Sequence, residues 1–179
     1  MKKIVFIGGN QPRHLYVAKA IEKAFNLTGA IIQDRGSLIP KPAPNLKAID
    51  KKNFLKHFNE REACEKKFFQ KQNDLSCPVI TTNDINSNSR QILDYFQKIK
   101  PDVVFIFGTS MIKDPLFKKL PKNTINLHLG LSPRYRGSAT LFWPFYFLEP
   151  TYAGSTFHFI TGEPDAGDII HQVTPRLQK

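Results

Sequence analysis

The chain has 179 residues, 41% of them apolar, 12% aromatic and 23% charged, one domain's length with enough apolar content for a sizeable core. That composition excludes a disordered chain, a collagen-like fibre and a disulfide scaffold. The net charge is +11 and uneven: residues 1–100 carry 18 Lys and Arg against 9 Asp and Glu, and residues 101–179 carry 8 against 6. A basic half attracts anions such as nucleotides, phosphorylated sugars or RNA. The lysines are scattered among acids with no run of five, so the charge equally describes solvated helices and does not by itself make a nucleic-acid binder.

Cys64 and Cys77 show neither CxxC spacing nor a neighbouring histidine cluster, which speaks for two thiols in a reducing compartment. No stretch approaches the roughly 18 apolar residues of a membrane span. The apolar run Ile4-Val5-Phe6-Ile7 after Lys2-Lys3 is too short for the roughly 7–15 residues of a signal-peptide core. The expectation is a cytoplasmic protein with no membrane partner.

Lys3–Gly8 is a short apolar run ending in glycine, a first strand. Arg13–Phe25 places Val17, Ala20, Ile21, Ala24 and Phe25 at helical spacing, and Leu27–Ile32 returns as a second strand. Residues 34–49, with Gly36, Pro40, Pro42 and Pro44, predict a loop. Asp50–Lys71 predicts a long, exposed, Lys- and Glu-rich helix with Phe54, Leu55 and Phe58 starting an apolar face. Pro78–Thr81 is a brief strand, and Ser87–Ile99 a helix faced by Ile92, Leu93, Phe96 and Ile99. Pro101-Asp102 stops that helix and launches Val103–Phe107, an uninterrupted apolar run suited to a parallel strand covered on both faces.

Strands alternating with helices imply right-handed crossovers and an α/β fold: a mostly parallel, doubly wound sheet with helices on both faces. The first hundred residues resemble half of a Rossmann-like domain. Thr124–Leu129 then alternates, with Asn126 and His128 on one face. Leu131–Gly137 is a loop, Ala139–Leu148 is strongly aromatic, and Gly154–Ile160 and Ile169–Val173 predict the last two strands.

Gly8-Gly9-Asn10-Gln11-Pro12-Arg13 lacks GxGxxG, and no GxxxxGK[ST] occurs, so neither a dinucleotide nor an ATP loop is supported. The loop could still cradle an anion with its amides, helped by Arg13. His128, His158, Asp165, Asp168 and His171 match no metal-chelating spacing, and Ser138 lacks a nucleophile elbow. No metal is therefore expected. Asn126, His128 and His158 on strands are either sheet-end hydrogen-bond partners or functional groups, and Asp165 in GEPDAGD suits a solvated turn as well as a site.

Order and spacing together decide more. Asn126-Leu127-His128, then Leu131-Ser132-Pro133-Arg134-Tyr135-Arg136-Gly137, then Asp165-Ala166-Gly167, strongly resembles the formyltransferase family that uses 10-formyltetrahydrofolate. The family pattern is N-x-H, a following L-x-P-x-Y-x-G, and D-x-G some 35 residues on. By that resemblance Asn126, His128 and Asp165 are the catalytic residues, and His158 matches a histidine often found in the strand before the acid. Phe107, Gly108, Thr109, Ser110, Met111 and Ile112 resemble the strand-end loop lining the folate pocket. Ile160, Thr161, Gly162 and Glu163 would form its other wall.

The resemblance implies transfer of a formyl group from 10-formyltetrahydrofolate to an amine. Asn126 would donate to the developing oxyanion, His128 would donate or relay protons, and Asp165 would orient the imidazole and take the amine proton. The chain lacks the GSN-type loop of glycinamide ribonucleotide enzymes, and the G-T-P-x-F loop and β-barrel of initiator-tRNA enzymes. The implied acceptor is thus a small amine, nucleotide-linked or phosphorylated, held by Gly9, Asn10 and Arg13 or by Arg134 and Arg136, with RNA not favoured. Residues 1–179 would form one catalytic domain, C-terminally short for the family. A methionyl-tRNA or glycinamide ribonucleotide formyltransferase, a 10-formyltetrahydrofolate hydrolase and a non-catalytic folate- or nucleotide-binding domain are the alternatives.

Overall fold

The first strand, β1 (Ile4–Gly9), is fully buried, and its alternating side chains feed two cores. In the computed structural model, which describes residues 1–36, 41–69, 74–138 and 140–176, Val5 and Ile7 pack to one face of the sheet and Ile4 and Phe6 to the other. A strand apolar on both faces needs a covering layer on each side. Helix α1 (Pro12–Ala24) covers one with Ala18 and Ile21, and α3 (Ser89–Ile99) covers the other with Ile92 and Phe96.

Between them come β2 (Leu27–Gln33), α2 (Ala48–Phe69) and β3 (Val79–Thr82); after α3 follow β4 (Val103–Phe107), β5 (Thr124–His128), the four-residue α4 (Trp143–Tyr146), β6 (Ser155–Phe159) and β7 (Ile169–Val173). The seven strands stand in the order β3-β2-β1-β4-β5-β6-β7. The first five in that order pair in parallel, and β6 and β7 are added antiparallel. This is the doubly wound, mostly parallel sheet that the alternation of elements predicts.

The boundaries differ in instructive ways. The second strand runs one residue beyond its apolar run, to Gln33, because the buried Gln33 amide finds partners in the loop after β4. Helix α3 begins at Ser89 rather than Ser87, since Asp84 accepts from the Asn86 N–H and the Ser87 hydroxyl and holds 84–87 in a turn. Helix α2 starts at Ala48, two residues into the predicted loop, and its predicted end at Lys71 lies outside the described residues, as does part of the loop at 37–40. No helix among the described residues is long and apolar enough to cross a membrane.

Candidate active site

The carboxyl ends of the parallel strands form one edge of the sheet, where open α/β sheets hold their ligands. On β5, Asn126 and His128 project to the same side because they are two residues apart. The antiparallel register sets His158 of β6 directly opposite Asn126, and their side chains meet, Nδ2 to Nε2, at 3.1 Å. The loop from β6 to β7 then folds back, and Asp165, in the left-handed region at φ 49°, reaches across to both β5 residues. Asp tolerates that conformation better than most residues.

Asp165 is the hub. Its Oδ1 accepts from Asn126 Nδ2 at 3.2 Å and lies 3.4 Å from His158 Nε2. Its Oδ2 faces His128 Nδ1 at 3.2 Å and accepts the Gly137 N–H at 3.0 Å. Burial opposes ionisation of this carboxyl, but the hydrogen bond to His158, the Gly137 N–H and the two imidazoles outweigh it and hold it below the ordinary carboxylate range. For His158, burial disfavours the charged ring, yet Asp165 and the Phe159 carbonyl on Nδ1 (2.8 Å) leave it raised. His128 Nε2 donates to the Tyr135 carbonyl at 2.8 Å, so both its ring nitrogens face acceptors. The ring is thereby fixed in plane between two acceptors.

Two cavities open here. The larger, about 1180 Å³, is lined by Asn126, His128 and Asp165 at its floor, by Arg13, His57 and Arg61 on one wall, and by Leu141, Phe142 and Phe145 on the other. The smaller, about 390 Å³, is lined by Thr109, Ser110, Met111, Ile112, Ile160, Thr161 and Glu163, together with His158. Asn126, Thr109, Gly137 and Asp165 line both. An amide and a carboxylate therefore line both chambers, of which the wider also carries Arg13 and Arg61.

Residues 41–178 match the formyl transferase family. The chain belongs to it. The formyl donor of this family is 10-formyltetrahydrofolate. The bifunctional polymyxin resistance protein ArnA of Wigglesworthia glossinidia brevipalpis is 34% identical over 120 residues, a stretch that is 65% of this chain and 18% of ArnA, so the chain matches less than a fifth of that relative's length. The phosphoribosylglycinamide formyltransferase of Anaplasma phagocytophilum superposes with a TM-score of 0.64 at 17% identity, covering 96% of this chain and 70% of that one. A formyltetrahydrofolate deformylase of Pseudomonas syringae pv. tomato gives 0.59 at 17% identity, covering 99% and 53%. At such identities these two structures carry the fold.

Within this formyl transferase the expected donor wall divides. Thr109–Ile112 and Ile160, Thr161 and Glu163 line the smaller cavity; Phe107 and Gly108 line the larger one, with the Phe107 ring edge-on to His14 at 4.7 Å. Gly162 lines neither. The expected acceptor residues are largely engaged. Asn10 Nδ2 donates to Asp34 at 2.6 Å, Arg13 pairs with Glu65 at 2.5 Å, and Arg134 pairs with Glu149 at 2.5 Å while lying over the Tyr152 ring. Arg136 is exposed. Gly9 has its place because a Cβ there would collide with the His14 ring, as it would at Gly108 on the ring's other side.

Sequence reasoning missed the residues that hold the loop after β4. Gln33 Oε1 accepts from both the N–H and the hydroxyl of Ser110 at 2.9 Å, and the Asn86 side chain bridges the Met111 carbonyl and the Lys113 N–H. It also missed Glu65, Arg61 and the buried His14. Burial, and then Arg13, Arg35 and Arg61, push that imidazole down to about 3, so it is neutral at any working pH.

Proposed function

We propose that the protein transfers the formyl group of 10-formyltetrahydrofolate to the amine of a small acceptor, with the donor in the smaller cavity and the acceptor in the larger. One observation carries the assignment: Asn126 and Asp165 line both cavities, so a formyl carbon and an amine nitrogen entering from opposite sides meet at the same two side chains. The acceptor best suited to the wider chamber, with Arg13 and Arg61, is a nucleotide-linked amino sugar, in keeping with the partial likeness to ArnA. The free thiols of Cys64 and Cys77 suit a cytoplasmic setting.

Attack of the amine on the formyl carbon creates a tetrahedral oxyanion and an ammonium that must lose a proton. The Asn126 N–H now given to Asp165 turns to the oxyanion, the role that preorganised amide donors fill in acyl transfer. His128, held between the Tyr135 carbonyl and Asp165, turns a ring N–H from one of these acceptors to the same oxygen. Asp165 is held ionised and is thus a weak base. Its main work is to orient the His128 ring and to stabilise positive charge on the nitrogen, while the proton leaves to water. The tetrahedral adduct collapses by breaking the bond from the formyl carbon to N10 of the folate, and N10 takes up the proton from that water, so tetrahydrofolate leaves neutral at N10.

Release of tetrahydrofolate, measured with and without a nucleotide-linked amino sugar and with glycinamide ribonucleotide, tests this reading. Amine-dependent release is expected, and release into water alone would make the protein a hydrolase. His128→Asn and Asp165→Asn should each lower turnover by about a hundredfold or more with the fold retained. The second variant keeps a residue that accepts φ 49°, so the loss reports charge and not backbone strain. Near-normal rates in either would remove the residue from the mechanism.

A further inference from the structure

Helix α2 is 22 residues long, yet its one buried residue is a carboxylate, Glu65. A helix normally buries an apolar stripe, and a charge leaves water only when partners compensate it. Here the compensation is incomplete. Glu65 Oε1 takes both Arg13 Nη1 at 2.5 Å and Arg61 Nε at 3.2 Å, while Glu65 Oε2 and Arg13 Nε are buried without a hydrogen-bond partner. This ion-pair network lines the larger cavity together with Asn126, His128 and Asp165, so the carboxylate gathers two guanidinium groups at the cavity's edge.

Two arginines, Arg13 and Arg61, line the cavity with two carboxylates, Glu65 and Asp165, and Glu65 and Asp165 stand on separate networks. Arg13 and Arg61 share a single carboxylate, and the Arg35 guanidinium donates to the Gly108 carbonyl at the neighbouring strand end. All three lie near enough to suppress protonation of His14. The loop after β1 offers an anion little by comparison: Asn10 is bound to Asp34, and Pro12, at the start of α1, has no N–H to give. Arg61 is half-exposed and carries the fork geometry that matches phosphate oxygens.

We infer that α2 carries the acceptor's phosphate subsite: Arg13 and Arg61, held together by Glu65, receive a diphosphate. This rests on the transferase reading for the identity of the site, and moves the phosphate from the loop at Gly8–Arg13 to the wall built by α2. Glu65 is here a positioning residue.

Calorimetric titration with UDP and with inorganic phosphate, in the absence of folate, tests the subsite by itself. Wild type should bind UDP, Arg61→Ala should weaken it at least about tenfold, a scale set by loss of one charge-assisted contact, and Lys118→Ala, an exposed lysine paired with Asp114 away from the cavity, should bind it within about twofold of wild type. Inorganic phosphate should bind more weakly and show the same dependence on Arg61. In turnover, Arg61→Ala should raise KM for a UDP-linked amino sugar at least about tenfold, and leave KM for 10-formyltetrahydrofolate, and for the same amino sugar without nucleotide, unchanged. UDP binding unaffected by Arg61→Ala, or absent at millimolar concentration, would overturn the subsite. So would an equal rise in KM for both sugars. Failure of the transferase reading looks different: no amine-dependent release of tetrahydrofolate, with Arg61-dependent UDP binding intact.

Discussion

Helices α2 and α3 are attached to the same sheet domain by opposite means. Helix α3, with 11 residues, buries Ile92 completely and Phe96 almost so, in a cluster with Val5, Ile7, Ile31, Val104 and Ile106. It ends cleanly at Lys100, whose left-handed backbone at φ 52° gives its N–H to the Phe96 carbonyl. Helix α2 is twice as long and meets α1 through the Arg13–Glu65 pair and a tilted contact of Tyr16 with Phe69. Along its surface run the pairs Lys56–Glu60 and Glu62–Lys66, each four residues apart. Such exposed pairs stabilise a helix by only about 0.3–0.5 kcal/mol each. Length is thus no measure of attachment. The shorter helix anchors the fold, and the longer one forms a wall.

That contrast can be broken by mutation. Ile92→Ala should cost about 2–5 kcal/mol of unfolding free energy, since it opens a cavity in the fully buried cluster under α3. Urea denaturation measures it, and a loss below about 1 kcal/mol would mean that α3 is not the anchor. Glu65→Ala should cost less, about 1–3 kcal/mol, because it leaves the Arg13 guanidinium mostly buried and unpaired. The same titration, with Glu65→Gln recovering part of the loss, checks it. Lys56→Ala, at a pair exposed on both sides, should stay within about 0.5 kcal/mol of wild type. If Glu65→Ala proved as harmless as Lys56→Ala, the attachment of α2 would not be ionic, and the comparison would have to be redrawn around Tyr16 and Phe69.

The two helices also differ in how much of their role could be read from sequence. Ile92, Leu93, Phe96 and Ile99 recur at helical spacing, so the buried face of α3 is written in the chain. The same holds for β4, whose observed limits, Val103–Phe107, coincide with an apolar run set off by Pro101, while β7, Ile169–Val173, falls at its predicted limits after Asp168 though it is exposed. For α2 the spacing predicts exposure, which is right for nearly every residue and wrong for Glu65. An acid four residues after Arg61 reads as an ordinary surface pair, and only the tertiary approach of Arg13, 52 residues away, buries it. In the same way N-x-H spacing announces that Asn126 and His128 share a face. The arrival of Asp165 depends on the antiparallel turn-back of β6 and β7, which periodicity does not encode. Gln33 was missed because the strand signal is apolar and its last residue is not.

The strand order has a consequence for how the chain is made. β1 is the third strand from one edge, with β2 on one side and β4 on the other, and its register with β4 joins Ile4 to Val103 and Gly8 to Phe107. Lys3 is tied to Asp102, 99 positions later, through its N–H and the Asp102 carboxylate. On a translating ribosome β1 and β2 emerge early, but the second edge of β1 stays uncovered until residues past 107 have left the tunnel. Throughout that interval a strand that is fully buried in the finished fold presents open backbone donors and acceptors beside Val5 and Ile7, the conditions under which nascent chains pair with one another. Synthesis at about 5–20 residues per second makes that window several seconds long.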